Sequence, residues 1–510
     1  MKYLNSINGS KAAKIRWGFP ATTSASFAWI TSLALCLAAT ISLPAQTFKT
    51  LATFTLGNGA PYFVTLAQGI DGSLYGTTNG GGSNEMGTIF RVTPAGTVST
   101  VVNFDGTNGQ SSSAGLLLGE GGAFYGTTYL GGANGDGTVF DLAHNGALTV
   151  LDNFAGANGN GPSSVLIQGL DGDFYGTTTN GGANQNSQCV NVGLPGCGTI
   201  FKINRAGSLT TLYSFCAKTS CTDGTLPYAG LSQGSDGNFY GTTAYGGSHQ
   251  SKLCFYGGTG AMTCGTVFKI TPSGKLTTLY QFCAQSNCTD GSIPYAGLIQ
   301  AADGTLYGTT AGGGASNLGT VFEINTEGEL TTLHSFSESD GAHPWSGLMQ
   351  ATDGNFYGMT AYGGAGNFGT IFKMTPGGEL TSLHSFGYEI DGAYPYGGLM
   401  QDTNGNLYGV TSFGGDHGGG FGTVFVLGVG LSPFIKTVPV AGGAGAEITI
   451  LGTNLAEVTG VSFNGSAAAF KATSNTALTA TVPAGATSGP VDVVTLSSTL
   501  SSNVPFQVLP

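Results

Sequence analysis

The sequence predicts an all-β protein: a seven-bladed, four-stranded β-propeller closed by an N-terminal strand, followed by an immunoglobulin-like β-sandwich. The first observation is a motif with a Tyr-Gly core that recurs seven times, at a period of roughly 50 residues or more. The second is composition, since 89 glycines accompany 10% aromatic and only 8% charged residues. Such a composition is typical of short strands joined by tight turns. The third is a change of pattern near residue 427, after which the motif no longer occurs.

Each repeat contains four predicted strands, which we name a to d. The centre of the repeat is Asp-Gly-x-Leu-Tyr-Gly-Thr-Thr, clearest at residues 303–310. The motif tyrosines are Tyr75, Tyr125, Tyr175, Tyr240, Tyr307, Tyr357 and Tyr408. In the clearest copy the predicted strands are Leu298–Gln300, Leu306–Thr310, Gly319–Ile324 and Leu330–Phe336. Turn residues such as Asp-Gly separate them, and four short antiparallel strands are typical of a propeller blade.

The order of the strands predicts a closed ring. A d-type strand, Phe48–Phe54, precedes the first strand a, and the last repeat ends at a c-type strand, Gly422–Leu427. We expect the first strand to complete the last blade, because this pairing removes an open sheet edge. An open β-solenoid is the alternative, and the circular offset of the strands favours the propeller.

The repeated motif has a structural explanation in every copy. We expect Gly76 and its equivalents to allow close packing where blades converge, and each motif tyrosine to pack between blades. The paired threonines suit strands. The motif is therefore predicted to hold the fold and not to form a site.

Residues 1–45 are predicted to be a signal peptide. A basic segment at residues 2–16 precedes an apolar run at residues 27–43, and Leu-Pro-Ala at 43–45 is a suitable cleavage site. An uncleaved anchor is the alternative, but the apolar run is short for a membrane span. We therefore expect a secreted or cell-surface protein with no membrane span after signal removal.

The cysteines agree with export. Apart from Cys36 in the leader, they form four couples that are close in sequence: Cys189/Cys197, Cys216/Cys221, Cys254/Cys264 and Cys283/Cys288. An even number of cysteines in an exported chain predicts disulfides, and pairing within each couple is the simplest of many possible connectivities. Zinc is the alternative, but the chain has no Cys-x-x-Cys and no Cys-His cluster.

The charge balance excludes some partners. The chain has 27 acidic and 15 basic residues and a formal net charge of -12. Nucleic acids and anionic membrane surfaces both require basic patches, so we expect neither as a partner.

One face of the predicted propeller is the candidate binding surface. The d–a and b–c loops share this face, are longer than the turns on the other face, and contain all four cysteine couples. Binding residues tend to lie on loops of a rigid scaffold. The candidate ligand-binding residues are Tyr228, Tyr295, Trp345 and Tyr396 in d–a loops and Tyr245 and Tyr362 in b–c loops, with Pro61-Tyr62 similar. Aromatic rings beside Asp, Asn and Gly could stack on sugars, and the alternative is that each Pro-Tyr fastens its loop to a neighbouring blade.

Catalysis has little support in the sequence. Residues 230–234 (Gly-Leu-Ser-Gln-Gly) match Gly-x-Ser-x-Gly, but they lie on a strand a with no helix after it, whereas a nucleophile elbow needs one. The loop aspartates Asp223, Asp290, Asp340 and Asp391 fit Asp-Gly turns, and no EF-hand spacing occurs. We expect no cofactor, no metal and no catalytic residue. Paired carboxylates meet in space and not in sequence, which leaves a polysaccharide-active enzyme as the alternative.

The repeats resemble a known family. Residues 236–243 (DGNFYGTT) and 265–269 (GTVFK) are similar to the GloVer (Gloeo_Verruco) tandem repeat of exported bacterial proteins, and the resemblance extends over residues 48–427. The resemblance therefore implies no particular function. Propellers followed by an immunoglobulin-like domain also occur in copper oxidases of the galactose oxidase kind, but the repeats here do not match theirs.

The segment after residue 429 resembles a second family. Residues 452–455 (GTNL), 461–465 (VSFNG) and 482–486 (VPAGA) are similar to TIG/IPT domains, which are usually spacers or binding modules. The predicted domains are therefore a signal peptide at 1–45, the propeller at 46–429 and a TIG/IPT-like domain at 430–510.

These observations predict an exported, non-catalytic binding or scaffolding protein. Its expected partner is an extracellular polysaccharide or a cell-surface protein. A purely structural surface protein is a further alternative, and it predicts no ligand.

Overall fold

A computed structural model describes residues 46–186, 189, 195–254, 262–415 and 420–510. Within these ranges every regular element is a β-strand or a three-residue 3-10 turn, as the all-β prediction requires. The predicted signal peptide lies outside the described residues and stays a prediction. The 3-10 turns are Glu120–Gly122, Thr219–Cys221, Lys252–Cys254, Ser286–Cys288 and Leu455–Glu457.

The repeats fold into four-stranded antiparallel sheets with their strands in the order a-b-c-d, which gives a propeller-like arrangement. Sheet 1 contains Ala67–Gln68, Leu74–Thr77, Thr88–Val92 and Val98–Asn103. Sheet 2 contains Leu117–Leu118, Phe124–Thr128, Thr138–Leu142 and Leu148–Asn153. Sheet 3 contains Ile167–Gln168, Phe174–Thr178, Thr199–Ile203 and Leu209–Ser214.

The remaining sheets repeat this pattern. Sheet 4 contains Ser232–Gln233, Phe239–Thr243, Thr266–Ile270 and Leu276–Gln281, and its b–c loop adds a hairpin of Gln250–Ser251 and Met262–Thr263. Sheet 5 contains Ile299–Gln300, Leu306–Thr310, Thr320–Ile324 and Leu330–Ser335. Sheet 6 contains Met349–Gln350, Phe356–Thr360, Thr370–Met374 and Leu380–Ser385. Sheet 7 contains Met400–Gln401, Leu407–Thr411, Thr423–Gly428 and, as its fourth strand, Thr47–Thr53.

The first strand of the described chain completes sheet 7. Thr47–Thr53 pairs antiparallel with Thr423–Gly428, from Thr47 opposite Gly428 to Thr53 opposite Thr423. Phe48 stacks on His384 of sheet 6, with ring centroids 3.7 Å apart. The strand predicted at Phe48–Phe54 therefore takes the outer position that the last repeat leaves empty.

Among the described residues, five junctions between neighbouring sheets share one recurrent hydrogen bond. The side chain of the strand-a glutamine accepts a backbone N–H from the a–b turn of the preceding sheet: Ser235 N to Gln300 Oε1 is 2.8 Å and Thr352 N to Gln401 Oε1 is 3.1 Å. The same bond links sheet 7 to sheet 1, because Thr403 N donates to Gln68 Oε1 at 3.3 Å.

The motif tyrosines pack between sheets, as predicted. The Tyr175 ring of sheet 3 lies 4.1 Å, centroid to centroid, from the Phe239 ring of sheet 4. Its hydroxyl donates to Asp171 at 2.7 Å, and Lys202 pairs with the same carboxylate at 2.8 Å. Burial and the neighbouring Asp171 raise the pKa of Tyr175 to about 12, so the phenol stays neutral and keeps this bond. The motif Asp, Tyr and strand-c Lys thus fasten one turn of the sheet.

The motif glycine has a different role from the predicted one. A Cβ on Gly308 would lie 2.6 Å from Cζ of Phe322, which is directly opposite on strand c of the same sheet. The glycine therefore makes room for a phenylalanine of its own sheet.

The C-terminal segment forms two four-stranded sheets around one core. The first sheet contains Lys436–Val438, Glu447–Leu451, Ala477–Thr481 and Phe470–Ala472, in this order. The second contains Ser466–Ala467, Val458–Phe463, Val491–Thr495 and Thr499–Ser501, and Ala441–Gly443 pairs separately with Gln507–Leu509. Ile450, Phe463 and Leu478 are among the side chains buried between them.

This C-terminal unit contacts sheets 7 and 1 at their a–b turns. Thr476 Oγ1 donates to the Ile70 carbonyl at 2.8 Å, and Lys436 Nζ donates to the Gln401 carbonyl at 2.5 Å. The Lys436 side chain is partly buried, and burial of its ammonium lowers the pKa to about 8 against an opposing attraction from Asp402. Burial in turn raises the pKa of Asp402.

No helix in the described ranges is long and apolar enough to cross a membrane.

Gly308→Ala is expected to destabilise the fold by roughly 1–3 kcal/mol, because the added methyl group has no room beside Phe322. Gly80→Ala is the matched control, since a Cβ there meets nothing within 4 Å. Chemical denaturation of both variants measures the difference. Equal stability of the two variants would contradict the assigned role of the glycine.

Lys436→Met is expected to remove a pH dependence of stability. Between the folded pKa of about 8 and the ordinary value of 10.5, the unfolded chain binds more protons at this residue than the folded chain does. The free energy of unfolding of the wild type therefore rises across this interval, by on the order of 1–3 kcal/mol from this residue. Denaturation curves at pH 7.5, 9 and 10 measure the difference between wild type and variant, and the exposed Lys471→Met is the control. A difference that does not change with pH would contradict the burial of the ammonium.

Candidate binding site

The long loops of one face are joined in pairs. Each d–a loop forms a backbone bridge to the b–c loop of the sheet that it enters. The bridges are Ala60–Gly80, Gln110–Leu130, Asn160–Asn180, Thr225–Tyr245, Ser292–Gly312, Ala342–Tyr362 and Ala393–Phe413. The candidate surface is therefore built from loops that pair with one another through backbone bridges.

The loop aspartates fasten the d–a loops. The Asp223 carboxylate is fully buried and accepts hydrogen bonds from the Tyr213 hydroxyl at 2.7 Å and from the Ala217 N–H at 2.9 Å. Asp340 accepts from the Ser337 N–H and contacts His334 Nε2 at 3.0 Å. These contacts give the aspartates a structural role, as the predicted Asp-Gly turns require.

Four disulfides reinforce the same loops. Each joins one of the couples predicted from spacing: Cys189–Cys197, Cys216–Cys221, Cys254–Cys264 and Cys283–Cys288. The sulfurs of Cys254, Cys264, Cys283 and Cys288 lie within 4.8 Å of one another, so a b–c loop and a d–a loop meet at two adjacent disulfides. Sulfurs in disulfides are not thiolate ligands, and this disfavours the zinc alternative.

A cavity of about 660 Å³ opens where segments from all seven repeats converge. Each repeat has a leucine immediately before strand a, such as Leu66 or Leu298, and the seven residues that stand three positions before these leucines all line the cavity. They are Phe63, Ser113, Ser163, Tyr228, Tyr295, Trp345 and Tyr396. Small residues just before strand a, such as Gly230 and Ala296, also line the cavity. Cavities of this size are typical of small-ligand sites.

Five of these seven positions form a continuous aromatic wall, contributed by repeats 4 to 7 and 1. The centroids of Tyr228 and Tyr295 are 5.2 Å apart, and those of Tyr295 and Trp345 are 5.9 Å apart. Trp345 stacks on Tyr396 at 4.8 Å, and Tyr396 stacks on Phe63 at 5.3 Å. Phe63 keeps 36% of its surface exposed, so the wall is accessible to solvent at this residue.

The other two positions, Ser113 and Ser163, form a serine wall. Ser113 Oγ accepts a hydrogen bond from Asn79 Nδ2 at 2.8 Å. Ser163 Oγ donates to the Tyr228 carbonyl at 3.1 Å and lies 2.9 Å from Thr179 Oγ1. The cavity is therefore apolar on one side and lined by hydroxyl groups on the other.

The candidate b–c loop tyrosines stand behind the aromatic wall. The hydroxyl of Tyr245 is 3.2 Å from that of Tyr295, and the hydroxyl of Tyr362 is 3.3 Å from that of Tyr396. Neither Tyr245 nor Tyr362 lines the cavity. Burial raises the pKa of Tyr228 and of Tyr396, so the wall is uncharged at neutral pH.

Three histidines make close contacts through a ring nitrogen. His343 is near the wall, but its Nδ1 is 2.6 Å from the Ala311 carbonyl, and burial lowers its pKa, so it stays neutral. His334 and His384 contact Asp340 and Asp391 through Nε2 at 3.0 and 2.9 Å.

The serine of the Gly-x-Ser-x-Gly string does not stand on a nucleophile elbow. Ser232 pairs with Tyr240 inside a sheet, and the next element is the strand Phe239–Thr243. The position of Ser232 agrees with the predicted placement of the Gly-x-Ser-x-Gly string on strand a of a repeat.

The structure thus brings four of the six predicted ligand-binding residues into one cavity and adds three that sequence reasoning missed. Phe63, and not Tyr62, stands in register with Tyr228, although Tyr62 also lines the cavity. Ser113 and Ser163 were not predicted, because the sequence argument for a sugar site considered only aromatic residues. All three share a sequence signal, since each stands three positions before the leucine that immediately precedes strand a.

The fold and site define a tandem-repeat β-protein with a C-terminal TIG/IPT domain. The chain belongs to the family described as the Gloeobacter/Verrucomicrobia repeat, which matches residues 38–251 and 253–467. The IPT/TIG domain family matches residues 431–508. No curated protein matches the chain.

Several solved structures are similar to this chain at low identity. A fungal alcohol oxidase of the AA5 family, solved with copper, is 13% identical with a TM-score of 0.48, covering 91% of this chain and 99% of its own. The extracellular domain of a hybrid two-component system from B. thetaiotaomicron is 11% identical with a TM-score of 0.48, covering 91% of this chain and 55% of its own. A gluconolactonase from Xanthomonas campestris is 13% identical with a TM-score of 0.37, covering 76% of this chain and 90% of its own.

Proposed function

We propose that the chain is an exported, non-catalytic binding protein that holds a polysaccharide at the cavity between its seven repeats. The observation that carries the proposal is the aromatic wall of Phe63, Tyr228, Tyr295, Trp345 and Tyr396 facing the serine wall. A sugar ring has an apolar face and a hydroxyl edge, and this arrangement offers a partner to each.

The composition of the lining favours binding over hydrolysis. The described residues that line the cavity are aromatic, aliphatic, glycine, serine and threonine residues. Hydrolysis of a glycosidic bond by the usual route employs two carboxyl groups flanking that bond. A polysaccharide-active enzyme is the second candidate, and release of sugar from a bound polymer would support it.

We propose that sheets 1 to 7 are the seven blades of one closed propeller, at residues 46–429, with a separate immunoglobulin-like domain at 430–510. Two observations support closure. The glutamine bond between Thr403 and Gln68 repeats the bond found between sequential sheets. Tyr408 of sheet 7 also shares a buried cluster with Leu74 and Phe90 of sheet 1.

Deletion of residues 46–53 is expected to lower the thermal midpoint and to cause self-association, because the strand Thr423–Gly428 then becomes an open edge. Thermal unfolding and light scattering measure both effects. A synthetic peptide of residues 46–53, added in trans, should restore the midpoint, and a scrambled peptide should not. Unchanged stability of the deletion would contradict the closed ring.

Export is part of the proposal. The basic and apolar segments of residues 1–45 support a signal peptide, and the four disulfides support an oxidising compartment. The partner would be extracellular polysaccharide, and a cell-surface protein is the alternative partner.

Trp345→Ala is expected to weaken glycan binding by at least about tenfold, equivalent to about 1.4 kcal/mol, because the ring is central in the wall. Calorimetry of residues 46–510 with a panel of soluble polysaccharides measures the affinity, and reducing-sugar release is assayed in the same samples. Phe413→Ala is the matched control, since this exposed aromatic residue lies on the same face but does not line the cavity.

The outcomes separate the candidates. Binding that depends on Trp345 without sugar release supports the proposal, whereas sugar release supports the enzyme. Absence of binding to every glycan would contradict a carbohydrate ligand and favour a scaffold that recognises a protein.

A further inference from the structure

We propose that the cavity accepts the end of a neutral glycan chain, one or two sugar units long, in a fixed orientation. This inference rests on the proposed carbohydrate function and specifies the part and class of glycan. It follows from the closure of the walls, the arrangement of the two walls and the charge of the lining.

The walls surround the ligand position. Each of the seven repeats contributes lining residues, from Phe63 in the first repeat to Tyr396 in the last. A ligand at this position is bordered by residues of every repeat, so a chain end fits more easily than an internal stretch, which would have to bend into the cavity and out again. A volume of about 660 Å³ suits a small molecule and not an extended polymer. A chain end meets both conditions.

The two walls fix the orientation of the ligand. The aromatic positions are consecutive around the repeats, and the two serine positions are consecutive opposite them. A sugar stacked on Trp345 or Phe63 therefore turns its hydroxyl edge toward Ser113 and Ser163.

The serine wall offers hydrogen bonds of both kinds. Because Ser113 Oγ accepts from Asn79, its own hydroxyl hydrogen is available for donation. Because Ser163 donates its one hydrogen to the Tyr228 carbonyl, Thr179 donates to the Ser163 oxygen, and one lone pair of this oxygen is left to accept from the ligand. Adjacent sugar hydroxyls, each a donor and an acceptor, match this pair.

The electrostatics select against charged glycans. The described lining residues are uncharged at neutral pH, and the chain carries a formal net charge of -12. Entry of a uronate or sulfate group into this well would cost desolvation without a cationic partner, and the field of the protein would oppose it.

The test uses a property of the sequence. Trp345 is the single tryptophan in residues 46–510, so the intrinsic fluorescence of this fragment reports on the aromatic wall. The probes are gluco-, xylo- and manno-oligosaccharides of two to six units, soluble polymers with the same linkages, and oligogalacturonates. Affinity is expressed per mole of chain ends and per mole of sugar.

The expected result has two parts. Affinity per chain end is constant from the shortest binding oligosaccharide to the polymer, and oligogalacturonates of equal length bind at least about tenfold more weakly. Ser113→Ala and Ser163→Ala each weaken binding by roughly two- to tenfold, the loss expected for one hydrogen bond. Phe413→Ala leaves the affinity unchanged.

Two results overturn the inference while the proposed function stands: affinity that follows the mass of polymer and not the number of ends, or equal affinity for oligogalacturonates. Unchanged affinity in both serine variants overturns the orientation. If no probe alters the fluorescence and calorimetry detects no heat of binding, the proposed carbohydrate function itself fails.

Discussion

The packing of each sheet against the next is the interaction on which the rest of the structure depends. A sheet of four short strands cannot bury both of its faces alone. Here Tyr175 covers Phe239 of the following sheet, and the Gln300 side chain fixes the turn of the preceding one. Threonines add a further link, since Thr177 Oγ1 donates to the Ala229 carbonyl of the next sheet at 2.8 Å. Stability is thus a sum of similar interfaces between neighbours.

This rigid arrangement explains why the loop face can carry a site. The strand-a segments are held by their neighbours on both sides, and the d–a loops that precede them are fixed by Asp223 and its equivalents. In every repeat, the residue three positions before the leucine that immediately precedes strand a is therefore placed at the cavity. Substitution at this one position changes the cavity without changing the fold, and serine in two repeats makes one side of the cavity polar.

Much of the fold was predictable because it follows from local patterns. The period, the alternation of strands and turns, and the position of strand b at Leu306–Thr310 were all read correctly from the sequence. The role of Gly308 was not, because only the cross-strand register shows that Phe322 lies opposite it. Likewise, the contact between His334 and Asp340 was not predicted, because only the folded d–a loop brings the two side chains together.

The sequence by itself determined the repeat, its four strands, the C-terminal TIG/IPT domain and the cysteine couples, because these depend on short-range spacing. The tertiary structure decided which aromatic residues meet. It placed Trp345 beside Tyr396, put Tyr362 behind the wall, and added Phe63 from the other end of the repeat array. The physical reason is that the cavity is formed by one residue from each of seven segments, and their convergence is a property of the assembled array and not of any single repeat.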